Sequence, residues 1–334
     1  MEEGAPVPYK VVSGAVCGCE RKAIVINWST KDIAGIEFGD RTISAVRVRG
    51  KDPGSIVITH AGIVEYDSTS DSKIIAGAVR NLWKKAGMPT RTVCASLRSG
   101  SLVMRYFSLP PMTETELKRT LHLKAEEALQ LPGHEIVVEW YLNKPAQEGG
   151  SQPVTGLLAA TPVKDVEREL DVLYEAGLDP VILDLRALAV ANLYEVVGDR
   201  GGNIPVCLVN LSPHAADVMI RRGTGELYPH AIYCRASTWI EAPGFLAENI
   251  RDVLRYSEYK LGWESVRQVV LSGTVPCNEE FLGALKEALG IDLKFWDPVS
   301  GMSRKSRVVM ELLDSKDSPA GLLAPALGLA LRRS

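Results

Sequence analysis

Two short segments of the chain carry a polar residue at matching positions inside an apolar run, and each then enters a tight turn. One is Ile36-Glu37-Phe38-Gly39-Asp40-Arg41-Thr42, continuing to Arg49-Gly50. The other is Val209-Asn210-Leu211-Ser212-Pro213-His214-Ala215, continuing to Arg222-Gly223. Glu37 matches Asn210, Gly39 matches Ser212 and Gly50 matches Gly223. Turns of this kind can grip a phosphate chain, because successive backbone N–H groups make an anion-binding concavity. Two hairpins in equivalent registers predict two related half-domains that face each other, with the paired turns at the grip.

The elements that must position these turns follow from periodicity. Gly35 to Phe38 and Ile43 to Val48 form the first hairpin, and Ser55 to Val64 reads as a third strand. Ser72 to Ala86 is helical, with Ile74, Ile75, Ala78, Val79 and Leu82 on one face and Gly87 and Pro89 ending it. The same order repeats after residue 204. Strands Pro205 to Asn210, Ala215 to Arg221 and Gly225 to Tyr233 precede a long helix, Glu241 to Leu261, stopped by Gly262.

Between the halves an insert begins with strands Val93 to Leu97 and Leu102 to Leu109. Thr113 and Glu116 have capping-box spacing and open a helix to Gln130. Strands Glu135 to Leu142 and Val154 to Ala160 follow, then a helix with Thr161 as cap and Pro162 at its first position, ending at Gly177. The insert is thus a compact β-α-β-β-α unit. Val181 to Leu183 and the helix Leu185 to Val197 return to the first half. Gln268 to Leu271, Asn278 to Leu289 and Asp292 to Phe295 give strand, helix, strand, and Gly321 to Leu331 is a final small-residue helix.

The expected division is an N-terminal extension at 1–30, which includes a short strand at Ala23 to Asn27. A first half takes 31–90 and 178–203 and is closed by a C-terminal helix in 318–334. The inserted subdomain takes 91–177 and the second half 204–317.

Composition excludes several classes. The chain has 334 residues, 46% of them hydrophobic and 24% charged, with a formal net charge of -3. That is ordinary globular composition, without the clustered basic face that nucleic acid calls for. No apolar run approaches the ~20 residues that span a bilayer, and no signal peptide precedes the first strand. A soluble, cytoplasmic protein is expected, reaching a membrane only through partners. The six cysteines, at 17, 19, 94, 207, 234 and 277, are expected to be reduced thiols. Cys207, His214, His230 and Cys234 fall on strand-like segments without a CxxC spacing, so no metal site is expected there.

Several segments together carry a family resemblance. They are Gly35-Ile36-Glu37-Phe38-Gly39 with Ser44-Ala45-Val46, and Ser108-Leu109-Pro110-Pro111-Met112 followed by Glu114 to Leu117. Next come Glu126-Glu127 with Leu131-Pro132, Leu158-Ala159-Ala160 with Val163, and Ala176-Gly177-Leu178-Asp179-Pro180 with Asp184 to Ala189. Leu271-Ser272-Gly273 and the ending Ala326 to Arg332 complete the set. By their order and spacing the chain resembles the PilM family of type IV pilus assembly proteins, bacterial actin-like proteins close to FtsA. The resemblance implies an α/β, actin-like fold of duplicated RNase H-like halves with an inserted subdomain.

It also implies an adaptor beneath the inner membrane. Such a protein holds the N-terminal peptide of a PilN-like membrane protein in a groove between the first and inserted subdomains. It contacts pilus motor and platform proteins, and self-association is a further implied contact. The neighbourhood of the groove is placed at Arg105, Phe107, Leu109 and Leu117.

The family binds ATP with Mg2+, which puts Gly35, Glu37, Gly39, Asp40, Arg41, Thr42, Asn210, Ser212, Gly273 and Thr274 at the nucleotide. Here the chain departs from the family pattern. Asp40 puts negative charge near the phosphates, partly offset by Arg41. Asn210 cannot supply the charge that orders magnesium, and Pro213 has no N–H to give. A degenerate nucleotide site without catalytic residues is therefore expected. The alternative is an ATP-binding actin-like protein, a weak ATPase or a GspL-like secretion component, whose nucleotide state regulates partner binding. A GspL-like chain is expected to continue into a membrane helix, and an FtsA-like one into an amphipathic tail. Neither is seen after Leu331-Arg332-Arg333-Ser334.

Overall fold

The computed structural model describes residues 32–39, 41–50, 53–67, 69–98, 100–131, 133–143, 152–198, 204–223, 225–273, 278–299, 302–304 and 320–332. The extension at 1–30, with its expected strand, lies outside them.

Alternation along the first strands decides which side chains face which way. In β1 (Ala34–Phe38) every residue is buried, so both faces of the sheet are covered. Ala34, Ile36 and Phe38 point to a core built with α1 (Ser72–Ala86) and α3 (Val163–Glu175). Gly35 and Glu37 point to the opposite face, as the two-residue period of a strand requires. β2 (Thr42–Arg49) pairs antiparallel with β1, and β3 (Val57–Glu65) pairs antiparallel with β2. β4 (Thr92–Ser96) and β8 (Asp179–Asp184) then add parallel strands on the other side of β1. The order is β3-β2-β1-β4-β8, with the short β14 (Ser303–Arg304) at the β3 edge.

The second sheet repeats this plan. β9 (Val206–Leu211), β10 (Ala215–Arg221) and β11 (Leu227–Tyr233) are antiparallel, and β12 (Gln268–Gly273) and β13 (Asp292–Phe295) run parallel beyond β9. The order β11-β10-β9-β12-β13 matches the first sheet strand for strand. Cys207, Val209 and Leu211 face an outer core with α5 (Ala236–Glu241), α6 (Pro243–Tyr259) and α7 (Glu279–Leu289). Val206, Leu208 and Met219 face inward, against α4 (Arg186–Val197).

A third sheet, β5-β7-β6, is formed by β5 (Val103–Leu109), β6 (Ile136–Leu142) and β7 (Val154–Pro162). It is covered by α2 (Glu114–Leu129), which carries the Thr113/Glu116 capping box expected from the sequence. Its edge strand β5 leans on the second sheet through aromatic rings. Tyr106 lies 5.5 Å from Trp263 and 6.4 Å from Tyr228, both edge-on, and Tyr228 stacks on Tyr256 at 5.3 Å.

Four sequence expectations shift. The strand at Thr92–Ser96, read as part of the insert, belongs to the first sheet, because its apolar residues need cover on both faces. Thr161 and Pro162 end β7 instead of opening the helix, and no side chain caps α3. The long helix is interrupted at Ala242, which leaves the helical region before Pro243, as a residue preceding proline tends to do. β14, within the span assigned to the second half, pairs with β3 of the first sheet.

Between the two large sheets lie α4 and α8 (Ala320–Ala330). Helix α8 packs on β1 and β2 with Leu323, Leu327 and Ala330 fully or nearly buried. Small residues let it come this close. A Cβ on Gly35 would lie 1.9 Å from the Ala326 carbonyl oxygen, and one on Gly328 would lie 2.0 Å from that of Ala189 in α4. Arg332, just past α8, is buried against Asp184 with contacts of 2.5 and 3.0 Å.

Gly328→Ala is expected to lower the unfolding free energy by about 1–3 kcal/mol, the usual cost of overpacking. Gly283→Ala in α7, where a Cβ meets nothing within 4 Å, is expected to raise it by about 0.5–1 kcal/mol. Urea denaturation of the two variants checks both signs.

Candidate functional site

Glu37 and Asn210 occupy the same register in their sheets. Glu37 pairs with Ser44 across the hairpin, and Asn210 pairs with Asp217. On their other sides, Ser272 is the β12 partner of Asn210, and the Ser96 hydroxyl bonds Glu37. Both residues project from inner faces, so the two hairpins open towards one cleft beside α4 and α8.

The turn groups that could hold a phosphate are bonded within the protein. The Gly39 N–H donates to the Thr42 carbonyl at 2.9 Å, and the Ser212 N–H donates to the Ala215 carbonyl at 2.8 Å. The Ser212 hydroxyl closes its own turn, donating to the Ala215 carbonyl at 2.9 Å and accepting from the Ala215 N–H at 3.2 Å. Asn210 is buried and its Oδ1 accepts from the Ser272 hydroxyl at 3.3 Å. The Tyr66 hydroxyl donates to the Gly39 carbonyl at 2.7 Å.

The two glycines read as nucleotide contacts both lie in close backbone packing. Gly35 faces the α8 backbone, as described. A Cβ on Gly273 would lie 2.1 Å from the Leu211 carbonyl oxygen, and the Gly273 carbonyl oxygen itself lies 1.7 Å from where a Gly321 Cβ would be. The space beside Gly273 is therefore filled by the start of α8. Arg41 is exposed and Thr42 half-buried at the rim, while Asp40 and Thr274 lie outside the described residues.

A side chain the sequence reading passed over lies between the two hairpins. Arg186, the first residue of α4, donates from Nε to Asp217 Oδ2 at 2.9 Å and holds Nη1 4.0 Å from Glu37 Oε1. One guanidinium thus bridges a carboxylate from each large sheet. Glu37 Oε2 is buried without a hydrogen-bond partner. Burial pushes the Glu37 carboxyl above its ordinary 4.5, against the pull of Arg186 and the Ser96 hydroxyl. Extending the hairpin match by two residues, past Thr42 and Ala215, would have found Asp217 as the counterpart of Ser44. Arg186 has no such counterpart in the sequence.

A second polar cluster lies on the outer side of the first hairpin. Arg98 Nε donates to the buried Glu169 at 2.8 Å, and its guanidinium sits 4.6 Å from the Phe38 ring centre and 5.8 Å from that of Tyr66. Burial raises the Glu169 carboxyl, with Arg98 opposing. Beside this cluster is a cavity of about 400 Å³ lined by Thr69, Ser70, Ser72 and Ile75 on one side and Arg98, Gly100 and Arg168 on the other. It separates the start of α1 from the connection that leads into β5. The residues expected to mark the neighbourhood of a groove do not line this cavity. Phe107, Leu109 and Leu117 are buried together in the core beneath α2, because they are the inward-facing positions of their own layer. Only Arg105 of that set is exposed.

Residues 35–232 match the model of the family described as type IV pilus assembly protein PilM. The chain belongs to the PilM family. The solved structure of a PilM-PilN type IV pilus biogenesis complex is similar over 90% of this chain and 98% of that one, with 19% identity and a TM-score of 0.73. The ethanolamine utilization protein EutJ from Carboxydothermus hydrogenoformans covers 92% of each chain at 11% identity and a TM-score of 0.51. No curated protein gives a significant match. At these identities the solved structures establish the fold, which is actin-like α/β. Among the described residues of this PilM-family chain, no helix is long and apolar enough to cross a membrane.

The raised Glu37 carboxyl gives a pH signature. The native group holds its proton more tightly than the unfolded chain does, so stability from this group is present below about 4.5 and is lost as pH rises through the native value. Glu37→Gln removes that loss. The variant is expected to gain stability relative to the wild type between pH 4 and pH 8, and urea melts across that range check the sign.

Proposed function

We propose that this PilM-family chain is an adaptor, on the cytoplasmic side of an inner membrane, for a type IV pilus or related secretion platform. It binds the N-terminal peptide of a PilN-like membrane protein and reaches the membrane through that partner. Motor and platform proteins of the assembly are its further contacts.

The observation that carries this reading is the cavity between the start of α1 and the connection into β5. Its volume of about 400 Å³ falls in the range of preformed ligand sites. Thr69, Ser70 and Ser72 offer hydroxyls to a peptide main chain, and Arg168 offers a guanidinium whose side chain is 57% exposed. Family membership and the similar PilM-PilN complex support the choice of partner.

The nucleotide cleft is proposed to be degenerate. Gly39 and Ser212 spend their N–H groups on turn closure, and Asn210 is neutral. Each lost charge-assisted hydrogen bond costs roughly 1.5–3 kcal/mol, a factor of ten or more in affinity. Two or three such losses reduce micromolar ATP binding to negligible binding.

Gly100 lies at the cavity wall with nothing within 4 Å of an added Cβ. Gly100→Trp is expected to fill the cavity and weaken binding of a fluorescent PilN-type N-terminal peptide at least tenfold, on the order of 1.4 kcal/mol, with Tm unchanged. Anisotropy titration reads the affinity. An unaltered Kd would remove the cavity as the peptide site, and no binding by the wild type would remove the adaptor reading.

A further inference from the structure

The placement of Arg186 runs against ordinary helix chemistry. The first turn of a helix carries partial positive charge and favours carboxylates, yet α4 opens with an arginine and has no acidic residue in that turn. Its guanidinium contacts Asp217 of the second sheet and faces Glu37 of the first. These two carboxylates come from the facing hairpins, on the strands that flank the paired turns. A divalent cation held by the cleft would need them, because hard cations take oxygen ligands and magnesium is bound through one or two carboxylates. Arg186 supplies charge at that place but has only donors, so it satisfies carboxylates and repels a metal.

The structure assigns to Arg186 the place of the divalent cation: it closes the cleft to metal–polyphosphate ligands by bridging Glu37 and Asp217. This rests on the degenerate-cleft reading and gives it a cause other than the second turn. The neighbouring groups agree. Asn210 bonds Ser272, the Ser44 hydroxyl donates to the Leu322 carbonyl at 2.9 Å, and Gly321 fills the space beside Gly273. Glu37 Oε2 is the one buried carboxylate oxygen of the bridge without a hydrogen-bond partner among the described residues.

Manganese alone is the probe, read by the loss of its free-ion electron paramagnetic resonance signal on the full-length protein. The wild type and Glu37→Gln are expected to bind no manganese at the cleft and to give the same titration. Arg186→Gln is expected to gain one site per chain, at least tenfold tighter than any wild-type binding, and Arg186→Gln with Glu37→Gln is expected to lose it. Arg186→Lys keeps the charge and is expected to stay silent. A manganese site in the wild type that Glu37→Gln abolishes would overturn the assignment. So would a folded Arg186→Gln variant that binds no more manganese than the wild type.

The wild-type comparison decides the matter even if Arg186→Gln does not fold. ATP titration in EDTA separates the two ideas. Tight metal-free ATP binding overturns the degenerate-cleft reading and leaves the exclusion of metal standing.

Discussion

The structure depends on how closely α8 can approach its neighbours. The helix lies against the inner face of the first sheet and also touches α4 and the end of β12. Backbone-to-backbone contact of this kind needs residues without side chains at the crossing points, and Gly35, Gly321 and Gly328 supply them. Leu323, Ala324, Ala326 and Leu327 then fill the remaining space and are fully buried. Pro325 lies within the helix and has no N–H to give its own turn, a cost tolerated where packing over-determines the helix. Both large sheets are positioned by this contact, and the cleft at the hairpins is what remains open beside it.

The cleft is polar and largely bonded within the protein, with Glu37 Oε2 left without a hydrogen-bond partner among the described residues. Two turns that face each other in equivalent registers use their N–H groups to close themselves, and their inner-face carboxylates meet a guanidinium. Low-dielectric surroundings strengthen such bonds and make an unpaired group costly, so a satisfied cleft resists being reopened. The fold is actin-like α/β, and the Gly39 and Ser212 N–H groups bond within their own turns. The outer side of the first hairpin shows the opposite character. There a cavity with hydroxyls and an exposed guanidinium faces solvent.

Much of this was legible in the sequence because it rests on local rules. Hairpin register, the Thr113/Glu116 capping box and α1 from Ser72 to Ala86 follow from alternation, cap chemistry and helical spacing. What was not legible depends on contacts between distant segments. Nothing local reveals that the α8 backbone lies against Gly35 or that Leu211 of β9 lies against Gly273. Phe107, Leu109 and Leu117 are apolar at strand and helix periods, which fits a core as well as a groove, and the core prevails. Arg186 carries no motif, and its meaning appears only once β1 and β10 are brought to either side of it. Arg98 and Glu169 are 71 residues apart and pair only in the folded chain.

Helix α4 and strand β10 are tied at both ends, by Arg186 to Asp217 and by Glu195 to Arg221. Nine residues of helix rise about 13.5 Å and four residues of strand about 13 Å, so the two tethers are matched in length. A helix pinned twice to a strand of equal span cannot slide along it or pivot about one end. The second sheet and α4 are therefore joined at two points of matched spacing, and α4 meets α8 backbone to backbone at Gly328. The aromatic prop from β5 onto Trp263 adds an edge-on ring contact and a hydrogen bond between the Tyr106 and Trp263 side chains, so the inserted layer is tied to the second half as well.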